Sequence, residues 1–353
     1  MSAPHVMIMA AGTGGHIFPG LAVARELLGQ GATVSWLGTP AGLENRLVPA
    51  AGIELEAIDI AGLRGRGLTG WLMAPFRVLK AMWATRTILR QRRPDCVLSM
   101  GGYVAGPGGL MARLMGVPLV LHEQNAIAGL TNRWLRPLAK RVMTGFPDVL
   151  PRGEHCGNPV RADISALPDP AERYAGRSGP LKLLVVGGSL GAAAFSELVP
   201  AALASLPADR RPQVLHQAGR QLEPTLAAYR EHGVDGDVRE FIDDMAAAWG
   251  EADVALCRSG ALTVAELAAA GVPAVLVPFP FAVDDHQTAN ANYLTVAHAG
   301  WLMPERELTA QRLAERLSGL NREQLMAMAG RARALARHSA ASAVAKACLE
   351  VAR

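Results

Sequence analysis

A glycine-rich segment near the amino terminus joins a predicted strand to a predicted helix and ends in a histidine. The apolar run Val6–Ala10 predicts the strand, Gly12, Gly14 and Gly15 predict a tight turn, and His16 begins the helix. Such a turn can bring backbone N–H groups against a phosphate or a sugar, but it is equally typical of a simple strand-to-helix connection. A Walker loop is excluded because no lysine follows the glycines. A dinucleotide-binding fold is disfavoured because the second predicted strand does not end in an acidic residue.

His16 is the candidate base of this loop. The positive end of the helix dipole favours a neutral imidazole at this position, and a neutral imidazole can take a proton from a hydroxyl group. The alternative, a histidine that only caps the turn, fits the sequence equally well.

Four consecutive hydrogen-bonding side chains follow another predicted strand. They are His122, Glu123, Gln124 and Asn125, directly after the apolar run 117–121. Because open parallel sheets bind ligands beyond the carboxyl ends of their strands, this set is placed to bind the hydroxyls of a sugar. A single Asn or Gln there would more often form a turn.

The second half of the chain has a single carboxylate in an otherwise apolar helix. Glu266 is the only charge on the helix that follows the segment Cys257–Gly260. A carboxylate in such a helix is costly unless it is paired, and a ribose diol or an arginine would serve as its partner. Arg258, just before this helix, is placed to balance the charge of a diphosphate.

The segment 284–290, DDHQTAN, has the composition of a metal site but not its usual spacing. Adjacent aspartates at a helix start are more often caps, and a Gln and an Asn one turn apart suit a neutral polyol better than a cation. Asp235 and Asp237 lie in a polar, glycine-containing turn. We therefore expect no metal site and no cofactor.

Residues 60–94 carry eight basic side chains and no acidic one. Leu72, Phe76 and Leu79 recur there at helical spacing, with Lys80 beside them and a tryptophan extending the stripe. A stripe of this kind usually faces a core. The uncompensated positive charge favours instead a surface that rests on anionic lipid.

The elements that must position these residues form two similar series. An apolar run, a glycine cluster and a helical stretch occur over 6–28 and again over 183–198, and short apolar strands alternate with helices after each. The sequence therefore predicts an α/β protein with two Rossmann-like domains facing a cleft. A stretch rich in Pro, Asp and Gly places the boundary after residue 158, so we expect domains at 1–158 and 159–338.

Composition limits the remaining classes. The chain has 353 residues, 50% hydrophobic and 19% charged, which suits a two-domain globular protein. The net charge of +4 is too small for a nucleic-acid binder, but residues 1–160 hold 16 basic and 9 acidic side chains, so we expect an anionic partner there. Four isolated cysteines suggest neither a disulfide framework nor a zinc site. We expect no secretion signal and no membrane span, and a reducing cytoplasm fits.

Several motifs together resemble one family. They are AGTGGHIFPG, SMGGYVAGPGG, LHEQNAIAGLTN, GNPVR, VVGGSLGA, EFIDDMAAA, CRSGALTVAELAAAG and DDHQTANA, in this order from about residue 7 to residue 300. The chain resembles the bacterial MurG glycosyltransferases. This resemblance implies the two-domain GT-B fold, with the acceptor bound mainly by the first domain and the nucleotide sugar by the second. It also implies that a C-terminal helix, 339–353, packs back on the first domain.

The resemblance further implies an inverting, metal-independent N-acetylglucosaminyltransferase. Its donor would be UDP-GlcNAc, and its acceptor the C4 hydroxyl of MurNAc in lipid I, the undecaprenyl-pyrophosphoryl-MurNAc-pentapeptide, which gives lipid II for peptidoglycan. The expected location is peripheral, on the cytoplasmic face of the bacterial inner membrane, against an anionic membrane surface. Contacts with cell-wall assembly proteins are an expectation from the family, and no nucleic-acid partner is expected.

Carried over position by position, the resemblance assigns His16 as the catalytic base. The residues expected to bind the donor are Thr13, Gly14, Gly15, Asn125, Arg161, Ser189, Ile242, Arg258, Ala261, Leu262, Thr263, Val264, Ala265, Glu266 and Gln287. Within this set, Asn125 and Gln287 would contact GlcNAc, Ser189 the phosphates, the backbone of Ile242 the uracil and Glu266 the ribose. The residues expected to hold the acceptor diphosphate are Gly101, Gly102, Tyr103 and Gly106.

Three positions depart from the family pattern, Ala11, Leu190 and Phe281. Leu190 removes a polar side chain beside the third glycine loop. Three rival functions remain at this point: a UDP-GlcNAc 2-epimerase of the same fold, a nucleotide-dependent oxidoreductase and a non-catalytic sugar-nucleotide sensor.

Overall fold

The computed structural model describes residues 3–60, 73–188 and 190–352. Leu72 and Ser189, which the sequence analysis singles out, lie outside the described residues. The chain divides into two compact units, Met1–Arg161 with Arg337–Arg353, and Ala162–Ala336. We call them unit 1 and unit 2.

Unit 1 contains a seven-stranded sheet in which every strand pairing is parallel. Its strands are β1 (His5–Met9), β2 (Thr33–Gly38), β3 (Glu54–Ala57), β4 (Cys96–Ser99), β5 (Leu119–Glu123), β6 (Arg141–Thr144) and β7 (Glu154–His155). They lie in the order β3-β2-β1-β4-β5-β6-β7. The helices of this unit are α1 (Gly14–Gly29), α2 (Glu44–Ala50), α3 (Ala74–Arg92), α4 (Gly102–Leu114), α5 (Leu130–Leu135) and the C-terminal helix (Ala340–Val351).

Both faces of this sheet are buried, which explains why its central strands are apolar throughout. In β1, Val6 and Ile8 pack in one core with α1 and the C-terminal helix. Met7 and Met9 point to the opposite face and pack in a second core with α3, α4 and α5. Because side chains alternate along a strand, an uninterrupted apolar run supplies both cores at once.

Unit 2 repeats the plan with six parallel strands in the order β10-β9-β8-β11-β12-β13. The strands are β8 (Lys182–Val186), β9 (Gln213–Gln217), β10 (Asp237–Arg239), β11 (Val254–Cys257), β12 (Ala274–Leu276) and β13 (Gly300–Leu302). The helices are α6 (Ala162–Ser165), α7 (Pro170–Tyr174), α8 (Ala193–Ala204), α9 (Leu222–Glu231), α10 (Met245–Glu251), α11 (Ala261–Ala270), α12 (His286–Thr295), α13 (Ala310–Ser318) and α14 (Arg322–Ala334). A core on one face of the sheet joins β8 and β11 to α8, α13 and α14. The prediction of two Rossmann-like units is confirmed.

Short 3₁₀ turns connect several of these elements, at Arg136–Leu138, Ala208–Arg210, Gly219–Gln221, Val283–Asp285 and Glu305–Glu307. Among the described residues, no helix is both long enough and apolar enough to span a bilayer.

Candidate active site

The sheet of unit 1 reverses its winding between β1 and β4, the position where open α/β sheets bind ligands. Two glycine loops follow these strands, Gly12–His16 after β1 and Gly101–Gly102 after β4. Gly12, Gly101 and Gly102 have φ angles of +94°, +88° and +80°. These values lie in the left-handed region that favours glycine, so both turns require this residue for conformational reasons.

The imidazole of His16 lies against the second glycine loop. A Cβ atom built on Gly101 would lie 3.4 Å from Cε1 of His16, and one on Gly102 would lie 3.7 Å from its Cδ2. Tyr103 follows, and Cε1 and Oη of its ring lie 3.5 Å from the Cβ position of Gly12. The candidate base therefore contacts the loop expected to hold the acceptor, and a tyrosine links the two loops.

Glu44 anchors the first glycine loop, and the sequence analysis missed it. Its fully buried carboxylate accepts a hydrogen bond from the N–H of Gly12 at 3.2 Å, and two from the N–H and hydroxyl of Thr39 at 3.0 and 2.6 Å. The only signal in the sequence is an acidic residue in a short helix just after the second strand. Glu44 thus joins the end of β2 to the loop that follows β1.

A chain of hydrogen bonds begins at Nδ1 of His16. Its Nδ1 lies 2.9 Å from Oε1 of Gln124, and Nε2 of Gln124 lies 3.0 Å from Nδ1 of His122. Nε2 of His122 lies 3.0 Å from the carbonyl oxygen of Gly157. His122 is fully buried, and this desolvation lowers its pKa to about 4, so the ring is neutral at pH 7.

Glu123 organises the loop that carries Asn125. Its buried carboxylate accepts hydrogen bonds from the backbone N–H of Asn125, the N–H of Gly129 and the side-chain amide of Asn132, all at 3.0 Å. Asn125 itself is half-buried. The expectation that the four side chains from His122 onward form one hydroxyl-binding set needs correction, because all four make hydrogen bonds within the unit, Asn125 through its Nδ2, 3.5 Å from Oε1 of Glu123.

Unit 2 places its candidate residues at the equivalent edge, where the winding reverses between β8 and β11. Gly188 follows β8 with a φ of +83°, and Arg258 follows β11. The segment Ala261–Glu266 forms the first turns of α11, which begins after Gly260 with no side-chain cap and no acidic residue in its first turn. The backbone N–H groups at this helix start therefore have no side-chain acceptor from their own cap.

Glu266 lies on α11 and is buried. The indole Nε1–H of Trp249, on α10, donates to its Oε2 at 3.2 Å. Trp249 was not predictable from the sequence as a site residue, because a tryptophan among alanines in a helix has the pattern of a core residue. The indole holds one carboxylate oxygen at a fixed position in the unit.

Arg258 is enclosed by aromatic rings. Its guanidinium lies 4.9 Å from the ring centroid of Phe195 and 5.6 Å from that of Phe279, and it forms an ion pair with Glu305. Nη1 also lies 3.3 Å from the carbonyl oxygens of Val277 and Pro278. A diphosphate at this position would share the guanidinium with Glu305.

Two further donor-site candidates are positioned by β10, β12 and the loops after them. Ile242 is buried between β10 and α10. Oε1 of Gln287, at the start of α12, accepts a hydrogen bond from the N–H of Phe279 at 2.9 Å, which leaves its amide NH₂ as the donor group. The variant positions Leu190 and Phe281 have exposed side chains, so neither departure from the family pattern disturbs a core.

The remaining candidates lie in unit 1. Thr13 is exposed at the start of α1, where its side chain makes no capping hydrogen bond, and Gly14 and Gly15 are half-buried in the first turn. Gly106 lies within α4, and Arg161 is half-buried at the end of the unit.

The helices α3, α4 and α5 have an apolar outer face. Phe76, Leu79 and Trp83 of α3 are 67%, 53% and 65% exposed, values that exclude a core stripe. Lys80 is exposed and lies 3.8 Å from the exposed carboxylate of Asp59, so this pair is weak. Other exposed apolar side chains on these helices are Leu110, Leu114, Leu130 and Trp134.

No group of three or more His, Cys, Asp or Glu side chains in the described part of the chain could hold a metal ion.

Comparison with known proteins identifies the family. Residues 6–144 match the glycosyltransferase family 28 N-terminal domain, and residues 182–347 match the glycosyltransferase family 28 C-terminal domain. The chain is 59% identical to a protein of Alkalilimnicola ehrlichii, and the match covers 99% of both chains. It is 58% identical to a protein of Bordetella parapertussis, over 100% of this chain and 99% of the relative. Both are called UDP-N-acetylglucosamine--N-acetylmuramyl-(pentapeptide) pyrophosphoryl-undecaprenol N-acetylglucosamine transferase.

Comparison with solved structures leads to the same family. The crystal structure of Acinetobacter baumannii MurG matches with a TM-score of 0.86 and 44% identity, over 98% of this chain and 99% of that one. The calicheamicin glycosyltransferase CalG4 shares the fold alone, with a TM-score of 0.68 and 17% identity over 99% of this chain and 98% of that one. The chain belongs to glycosyltransferase family 28 and, within it, to the MurG group.

Proposed function

We propose that the chain transfers N-acetylglucosamine from UDP-GlcNAc to the C4 hydroxyl of MurNAc in lipid I, which gives lipid II. The observation that carries this proposal is the identity of 58 to 59% with relatives of that name over essentially the whole of both chains. The geometry of unit 1 agrees with it, because a histidine lies between a loop suited to phosphate and a loop that carries sugar-binding candidates.

His16 is the proposed base. The C4 hydroxyl oxygen of the acceptor attacks the anomeric carbon of GlcNAc, the bond from that carbon to the UDP oxygen breaks, and UDP leaves with the electron pair. The hydroxyl proton passes to the imidazole of His16. Attack from the face opposite the leaving group inverts the anomeric configuration.

The second glycine loop is the proposed site of the acceptor diphosphate. Gly101 is the residue before α4 and Gly102 is its first residue, and the first turn contains no acidic residue, so backbone N–H groups and the helix dipole favour an anion there. Tyr103 and Gly106 extend this surface along the helix. The contact of this loop with His16 would bring the acceptor sugar close to the base.

Unit 2 is the proposed site of the nucleotide. Glu266, held by Trp249, would accept hydrogen bonds from the ribose hydroxyls, and the start of α11 would meet the diphosphate. Ile242 would contact the uracil, Gln287 the sugar, and Arg258 would add positive charge. Asn125 and Thr13 of unit 1 and Ser189 complete the proposed donor contacts.

We propose that the outer face of α3, α4 and α5 meets an anionic membrane surface on the cytoplasmic side. The acceptor is anchored in a bilayer by its undecaprenyl chain, so the enzyme must work at a membrane. α4 begins at the proposed diphosphate loop and exposes Leu110 and Leu114 near its other end. Residues 73–94, 102–117 and 126–141, which contain these helices, have no acidic residue. This combination of apolar and basic side chains suits a lipid headgroup region.

The test of the function is a coupled assay with the purified chain, UDP-GlcNAc and a lipid I analogue with a shortened lipid. We expect UDP release that depends on the acceptor, and a disaccharide product. Conversion of UDP-GlcNAc to its 2-epimer in the absence of acceptor would support the epimerase alternative, which none of the relatives named above favours.

A further inference from the structure

We infer that Gln124 and His122 are positioning residues that hold His16 in its Nδ1–H tautomer, so that Nε2 presents a lone pair to the acceptor hydroxyl. The inference rests on the proposed role of His16 as the base. It assigns a function to two buried side chains that make no proposed contact with substrate.

The direction of the hydrogen-bond chain is fixed at its far end. The carbonyl oxygen of Gly157 can only accept, so Nε2 of His122, at 3.0 Å, carries the proton. Gly157 has a φ of +89°, and a Cβ atom on it would lie 2.3 Å from Cβ of Arg337. The carbonyl that anchors the chain is therefore held by a backbone position that requires glycine.

The orientation of the Gln124 amide follows from a second acceptor. Nε2 of Gln124 lies 3.0 Å from the backbone carbonyl oxygen of His122, which identifies it as the NH₂ group. Its other hydrogen points to Nδ1 of His122, 3.0 Å away, which must then be unprotonated. The low pKa of His122 agrees with this neutral ring, because burial lowers the pKa and the hydrogen bond to the carbonyl of Gly157 offsets this only in part.

The amide oxygen of Gln124 therefore faces His16. Because this oxygen can only accept, Nδ1 of His16, at 2.9 Å, must donate, and the neutral ring then keeps its lone pair on Nε2. Free histidine side chains favour the opposite, Nε2–H tautomer. In that form Nε2 has no lone pair and could not accept the proton of the acceptor hydroxyl. The Gly101–Gly102 loop lies beside the ring edge that carries Nε2, since Cβ atoms built on these glycines would lie 3.4 Å from Cε1 and 3.7 Å from Cδ2 of His16.

The first test is spectroscopic and does not depend on activity. Long-range ¹H–¹⁵N correlation spectra of the full chain, labelled with ¹⁵N-histidine, report which nitrogen of each neutral ring carries the proton. We expect His16 as the Nδ1–H form and His122 as the Nε2–H form. In Gln124→Met we expect His16 to shift toward the Nε2–H form. Observation of the Nε2–H form of His16 in the unaltered chain would overturn the inference.

The second test is kinetic and compares Gln124→Met with Gln124→Glu. Methionine offers no acceptor to Nδ1–H, so we expect kcat to fall about 10-fold or more with a nearly unchanged donor KM, as for other residues that orient a functional histidine. Glutamate keeps an acceptor oxygen toward Nδ1 of His16 but loses the N–H groups that donate to His122, so we expect it to restore only part of kcat. Equal losses in both variants would contradict a tautomer role.

A matched control is Ser35→Ala. The hydroxyl of Ser35 lies 2.9 Å from Nε2 of His5 at the amino end of the same sheet, so this variant also removes a buried hydrogen-bond partner of a histidine. We expect it to leave kcat and the His16 tautomer unchanged. If His16→Ala retains kcat, the proposed base fails, and the tautomer spectra still decide whether Gln124 and His122 orient the ring.

Discussion

The two units share the order of their first six strands and place their candidate residues at the same edge, but they hold polar side chains in different ways. In unit 1, His16 is held by neutral hydrogen-bonding groups, Gln124 and His122, that end on a backbone carbonyl. In unit 2, Glu266 and Arg258 are charged: the indole of Trp249 donates to Glu266, and Arg258 lies near two aromatic rings and pairs with Glu305. A chain of neutral hydrogen-bonding groups can fix which nitrogen of a histidine carries the lone pair. Contacts around a charged side chain can instead hold that charge in place for a ligand. This difference agrees with the proposal that unit 1 holds the base and unit 2 binds the nucleotide.

Two buried histidines show that burial alone does not distinguish a functional residue from a structural one. Burial lowers the pKa of both His122 in unit 1 and His216 in unit 2 to about 4. Nδ1 of His216 lies 3.3 Å from the hydroxyl oxygen of Tyr229, whose ring packs against it edge to face. Only His122 lies in a chain of contacts that reaches the candidate base. A perturbed pKa in a core is thus compatible with a purely structural role.

The largest effect expected from this comparison is that of His16→Ala. Loss of the base acts on the chemical step, so we expect kcat to fall roughly 100-fold or more with nearly unchanged binding of UDP. Steady-state kinetics with saturating acceptor and equilibrium binding of UDP measure the two quantities. His232→Ala, at an exposed histidine of unit 2, is the control and should retain full activity. A retained kcat in His16→Ala would remove the proposed distinction between the units.

In unit 2, Glu266→Ala should raise the donor KM. A hydrogen bond to a charged group is worth about 1.5–3 kcal/mol, which corresponds to roughly 10-fold to 100-fold in KM. Glu266→Gln should have a smaller effect, because its amide oxygen still accepts from a ribose hydroxyl. Glu251→Ala removes an exposed carboxylate of the same unit and serves as the control. Unchanged donor KM in both Glu266 variants would contradict the ribose assignment.

A smaller effect is expected for Trp249→Phe. This change removes the indole N–H that donates to Glu266 at 3.2 Å while keeping a large apolar side chain in the core. A hydrogen bond of this kind contributes about 1–3 kcal/mol, and partial solvation of the freed oxygen reduces the loss. We therefore expect a donor KM raised several-fold and a nearly unchanged kcat. A fall in kcat without a change in KM would show that Trp249 acts on chemistry rather than on binding.

The fold and the main loops were predictable because their signals are local. The apolar strands, the glycine turns and the isolated Glu266 each lie within a short segment, and β1 shows how such a run supplies two cores. The partners of these residues were not predictable. Gln124 contacts the ring of His122, whose other nitrogen contacts the carbonyl oxygen of Gly157, 35 residues after His122, and Glu44 reaches back to Gly12.

The aromatic partners in unit 2 were missed for a related reason. Trp249, Phe195 and Phe279 lie in different segments, and each has the pattern of an ordinary apolar residue. Only the folded unit shows that Trp249 donates to Glu266 and that the two phenylalanine rings lie near Arg258. Local sequence therefore predicts which residues could do chemistry, whereas tertiary contacts decide how each one is oriented.

The smallest expected effect on catalysis is that of a variant on the surface of unit 1, Phe76→Ser/Leu79→Ser/Trp83→Ser. If this face meets lipid, the variant should lose co-sedimentation with vesicles that contain an anionic phospholipid. It should keep its melting temperature and its kcat on a water-soluble acceptor. The melting temperature should hold because these side chains are already 53 to 67% exposed, so their truncation opens no cavity.

The vesicle-binding test separates the electrostatic contribution from the apolar one, and it compares the two units. Nearby basic side chains should each add about 1 kcal/mol to vesicle binding, so salt should weaken the binding of the unaltered chain, while the apolar contribution should persist. Val296→Ser is the matched control, because Val296 is 78% exposed but belongs to unit 2. We expect this control to bind vesicles as the unaltered chain does. Undiminished vesicle binding by a folded triple variant would contradict a membrane-binding surface on unit 1. Loss of vesicle binding in Val296→Ser would indicate that this surface lies on unit 2.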